Sequence, residues 1–73
     1  MIIKLNSCSA ARPDKRALIS MLVEIADDID QSLAQESIDI LLEGDPVEIK
    51  VSFNESTAFR KLRKLDVDYT ILD

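Results

Sequence analysis

Residues 47–53 (VEIKVSF), 54–65 (NESTAFRKLRKL) and 66–71 (DVDYTI) change hydropathic period twice, and this stretch decides the fold. In the first part Val47, Ile49, Val51 and Phe53 alternate with Glu48, Lys50 and Ser52, the period of a strand with one buried face. Asn54 is of the type that caps a helix N-terminus. Ala58, Phe59, Leu62 and Leu65 then recur at helical spacing, with Arg60, Lys61, Arg63 and Lys64 turned outward. Val67, Tyr69 and Ile71 restore the period of two. The segment is a strand–helix–strand crossover, which leaves room for another strand between its two.

That strand is supplied at the other end of the chain. Ile2, Ile3 and Leu5 form a short apolar run, the pattern of a central strand buried on both faces. Residues 6–12 (NSCSAAR) are turn-like, and Pro13 suits a first helical turn. Leu18, Met21, Leu22, Ile25 and Ile29 predict an amphipathic helix to about Ile29. The cluster Asp27, Asp28, Asp30 at its C-terminal end, where the helix dipole disfavours anions, should stop it. Ser32 with Gln35 forms a capping box. It opens a second helix with Leu33, Ser37, Ile40 and Leu41 on one face, broadened by Ile38 and Leu42. Gly44 closes that helix, and Asp45-Pro46 prevents its continuation. The expected fold is α+β in the order β-α-α-β-α-β. Its sheet is three-stranded and antiparallel with the first strand central, packed against three helices in a single domain over residues 1–73.

A 73-residue chain buries only about 60% of its unfolded surface, so its core is small. Phe53, Phe59 and Tyr69 are the aromatic residues, which leaves the core to Leu, Ile and Val. The lone Cys8 cannot form an internal disulfide and fits a reducing cytoplasm. No apolar run approaches the roughly 20 residues of a membrane span, and no signal core opens the chain, so no membrane partner is expected. The absence of His removes the commonest general base, and one Gly leaves no phosphate-binding loop. An enzyme of this composition would work with carboxylates or a thiol. The expectation is therefore a protein without catalytic activity and without a cofactor.

Charge is distributed unevenly. From Ala17 to Ile49 there is no Lys or Arg, while nine carboxylates fall there: Glu24, Asp27, Asp28, Asp30, Glu36, Asp39, Glu43, Asp45 and Glu48. The net charge is −5. Helices rich in acid usually carry bases four residues on, and here none does. Such a field repels nucleic acid and steers encounter with a basic protein surface. Glu24, Asp27, Asp28, Asp30, Glu36 and Asp39 are the candidate partner-binding residues. Asp28, Asp30, Ser32, Glu36 and Asp39 also fall at positions 1, 3, 5, 9 and 12 of a calcium-loop template, but Leu33 stands where that loop needs Gly, and no metal is expected. Arg60, Lys61, Arg63 and Lys64 read as a solvated helix face. Cys8 has no His to activate it and reads as an inert thiol near the core.

The element order and two short segments resemble the C-terminal domain of the bacterial ribosomal stalk protein. There the second helix runs like L-K-E-A-K-D-L-V-E, and residues 34–42 here read AQESIDILL. The stalk's A-L-K-K-A-L…V-E-V is matched by residues 58–71, AFRKLRKLDVDYTI. The core is also similar to that of the Clp-protease adaptor for N-terminal degradation signals. The first resemblance implies docking of translation factors through helices one and two, where Lys15 and Ile19 fit and Ser20 and Val23 replace basic residues. The second implies a substrate amine held beside Asn6, with Ser7 and Leu41 in place of an Asp and a His.

The expected function is that of a small acidic protein–protein interaction module. It would act as an adaptor or inhibitor, in the manner of a phage-type regulator of host machinery such as RNA polymerase. A ribosome- or translation-factor-associated module of stalk type is the alternative, and a carboxylate- or thiol-based enzyme a lesser one.

Overall fold

The structure, a computed structural model, describes residues 1–52 and 55–72; the readings placed on Phe53 and Asn54 lie outside the described residues. The chain forms β1 (Ile2–Cys8), α1 (Lys15–Ile25), α2 (Gln31–Leu42), β2 (Val47–Lys50), α3 (Glu55–Lys64) and β3 (Val67–Ile71). The sheet order is β2-β1-β3, and β1 runs antiparallel to both neighbours. The architecture is the α+β layout expected, with the first strand central.

The helices cover one face of this sheet. Ile3, Leu5, Ile49, Val51 and Val67 point into the core against Leu18, Leu22 and Ile25 of α1, Ile38 and Leu41 of α2, and Leu62 of α3. The other face is polar. Lys4 sits between Glu48 and Thr70 in the register, and the Asn6 side-chain amide donates to the Thr70 hydroxyl at 3.0 Å. Ile2 is 37% exposed, so β1 is not buried on both faces as its apolar run predicts. A one-sided antiparallel sheet needs only alternate residues to be apolar, and Ile3 and Leu5 meet that need. The β1–β3 register shifts between Leu5 and Ser7. This bulge turns Cys8 rather than Ser7 toward the core.

Caps fix where the helices begin and end. Asp14, not Pro13, starts α1: its carboxylate accepts from the Ala17 amide at 3.1 Å, and Pro13 lies just before the helix. The helix stops at Ile25, earlier than the expected Ile29, because Ala26 is extended and Asp28 adopts a left-handed φ of 55°. Asp30 caps α2 by accepting from the Leu33 amide at 2.8 Å, so Ser32 lies inside the first turn and the capping box does not form. The far end of α2 follows expectation. Gly44, at φ 102°, donates to the Leu41 carbonyl at 3.0 Å, and Asp45 donates to that of Ile40 at 3.2 Å. These two bonds make a Schellman motif, in which glycine adopts the left-handed conformation without a Cβ clash.

The buried stripe of α2 is Ala34, Ile38 and Leu41. Leu33, Ile40 and Leu42, expected inward, are exposed. At about 100° per residue Ala34, Ile38 and Leu41 share one narrow arc, and Leu33 and Ile40 fall well outside it. Ala34 is fully buried, and a residue so small carries little hydropathic signal.

Candidate protein-interaction surface

The six acidic candidates do not all remain available. Asp30 is occupied as the α2 cap. Asp27 accepts a hydrogen bond from the Ser52 hydroxyl, and its amide donates to the Lys50 carbonyl at 2.7 Å. Asp39 pairs with Lys15 across the α1–α2 hairpin at 2.5 Å, and Glu24 with Lys61 across α1 and α3 at 2.8 Å. The bases missing within the helices thus come from other elements, as i+4 spacing cannot reveal. These pairs are about half exposed and each is worth at most about 1 kcal/mol.

The side chains of Asp28 and Glu36 are exposed and take part in no hydrogen bond or ion pair with the described residues. Glu43, just past α2, is likewise exposed. The fold also places apolar side chains beside these carboxylates. Leu33 is 48% and Ile40 40% exposed. Two turns apart, they form a stripe on the flank of α2 opposite Asp39, and so away from α1. Glu36 and Glu43 follow each of them by three residues and border the stripe on the outer surface. Ile2, Val23, Leu42, Ile71 and Leu72 are exposed as well. Sequence reasoning missed the stripe. The spacing of Ala34, Ile38 and Leu41 at i, i+4 and i+7 was the signal that could have revealed it.

Other candidates have local roles. The Cys8 thiol donates to the Leu65 carbonyl at 3.5 Å and is half-buried against the core. The residues of the calcium template after Asp30 lie on a continuous helix, not a loop, and no group of three potential ligands clusters among the described residues. Lys15, which the stalk resemblance assigns to factor docking, is engaged with Asp39, and Ile19 is partly buried. Surface depressions are open grooves; one runs between α1 and α3 and is lined by Asp14, Ser20, Met21, Glu24, Lys61 and Leu65. No helix among the described residues is long and apolar enough to cross a membrane.

In comparisons with known proteins, the chain matches no family model, no curated protein and no solved structure.

Proposed function

We propose that this protein is a non-enzymatic docking module that engages a basic surface of a partner protein through its first two helices, as an adaptor or inhibitor. The observation that carries this reading is the α2 stripe of Leu33 and Ile40 bordered by Glu36 and Glu43. Apolar side chains supply area that gains from leaving water, and the flanking carboxylates orient the encounter and fix its register. Asp28 extends the negative field at the start of α2. Of the six acidic candidates, Asp28 and Glu36 are the ones that would touch the partner. Glu24, Asp27, Asp30 and Asp39 contribute to the field while holding the scaffold.

Capture from a native-host lysate, followed by binding kinetics on the purified partner, tests the reading. The wild-type protein should retain one partner at low salt and lose most of it at about 1 M, where the Debye length falls to about 3 Å. Glu36→Lys with Glu43→Lys should slow association, and Leu33→Ser with Ile40→Ser should speed dissociation. The assignment is refuted if every captured partner tolerates both double variants.

A further inference from the structure

The two edges of the sheet are treated differently. At the end of β2 the outward carbonyl of Lys50 is taken by the Asp27 amide, and just beyond the strand the Ser52 hydroxyl by the Asp27 carboxylate. On β3 no described residue does the same. The Leu72 amide donates to the Ile2 carbonyl at 2.9 Å, and bonded and non-bonded pairs alternate along an antiparallel ladder. Tyr69 and Ile71, which stand opposite Leu5 and Ile3, therefore turn their N–H and C=O groups away from β1 toward the open edge.

The helix beside this edge supplies two further features. Phe59 of α3 stacks on Tyr69, with ring centroids 5.5 Å apart and planes 9° from parallel. Ser56, Phe59, Arg60, Arg63 and Lys64 line an open groove next to that stack. Arg60 and Arg63 are exposed and meet no carboxylate among the described residues, whereas Lys61 is held by Glu24. Ile71 is 48% exposed. Asp68 alternates with Tyr69 and so projects from the opposite face of the sheet.

We infer that the outer edge of β3 receives an extended acidic segment of a second protein as a fourth strand. Main-chain bonds at Tyr69 and Ile71 would hold it, and alternate side chains would point toward α3. An apolar one covers Ile71 and the Phe59–Tyr69 stack, and a carboxylate meets Arg60 or Arg63, where an arginine fork favours bidentate bonds. Charge decides against a second copy of this chain. Antiparallel pairing of β3 with itself places both basic α3 helices on the same side of one continuous sheet. This surface is separate from the α2 stripe and opposite to it in sign.

The test is an NMR titration of the intact protein with a peptide of alternating glutamate and valine, and with its lysine–valine counterpart. The glutamate peptide should slow amide exchange at Tyr69 and Ile71, and the lysine peptide should not bind. Arg60→Glu with Arg63→Glu should weaken binding by about tenfold or more. Ile71→Pro removes an N–H that β1 does not use and should abolish binding; should that variant unfold, the arginine variant alone decides. The inference is overturned by absence of binding, by equal binding of the two peptides, or by shifts confined to other elements. It is equally overturned if sedimentation shows a dimer that protects Tyr69 and Ile71 without peptide.

Discussion

The amide of Asp27 donates to the carbonyl of Lys50 at 2.7 Å, tying the turn between α1 and α2 to the outer edge of β2. The same residue's carboxylate accepts from the Ser52 hydroxyl, so one aspartate covers the end of this edge with both its main chain and its side chain. Covering the end of an edge in this way shortens the template for unwanted strand pairing.

Asp27→Ala and Ser52→Ala should each cost about 0.5–1.5 kcal/mol, the usual net worth of one hydrogen bond. The double variant should cost little more than either single one, since both remove the same bond. A double-mutant cycle by urea denaturation measures this, and full additivity would mean that the bond contributes nothing.

Ile49 is 3% exposed and Ile71 is 48% exposed, although both stand directly opposite Ile3. Ile49→Ala should cost about 2–5 kcal/mol through lost transfer energy and a cavity. That is most of the stability of so small a domain. Ile71→Ala should cost less than half as much. Comparable losses in thermal or chemical unfolding would mean that the helices cover the β3 edge as fully as they cover β2.

Asp30→Ala should lower stability by about 0.5–2 kcal/mol, because it leaves the Leu33 amide without its cap. Ser32→Ala should be nearly neutral or slightly stabilising, since alanine is the better helix former. The opposite order of melting temperatures would restore the capping box.

Asp66 holds a left-handed φ of 58° between α3 and β3, and its carbonyl accepts from both the amide and the hydroxyl of Ser9. A Cβ in that region is costly, by roughly 1–2 kcal/mol, except where a short polar side chain eases it. Asp66→Gly should therefore be nearly neutral, and Asp66→Val should destabilise by about 1 kcal/mol or more. Equal melting temperatures for the two variants would show that the backbone there relaxes.

Where local signals agreed with each other, the fold was legible. The alternation of Val47, Ile49 and Val51 has no helical rival, and Gly44 followed by Asp45-Pro46 admits only a helix end. Legibility failed where two local solutions compete and distant contacts choose. Asp30 and Ser32 are both good caps two residues apart, and the chain uses Asp30 after Asp27 has been drawn onto β2. Leu33 outweighs Ala34 in hydropathy, yet the core takes the smaller residue and leaves the larger exposed. The candidate site suffered in the same way. Its negative charge was plain from composition, but which carboxylates stay available depends on Lys15 and Lys61, which lie 24 and 37 residues from their partners Asp39 and Glu24.

The central place of β1 has a consequence for biosynthesis. β1 leaves the ribosome before both of its neighbours, and Ile3 waits for Ile49 on one side and Ile71 on the other. Nascent chains that stop short of Val67 present an apolar strand with one flank unsatisfied, a species that chaperones should recognise. The order of translation thus runs against the order of sheet assembly, because the central strand cannot be paired on both flanks until the last strand has emerged.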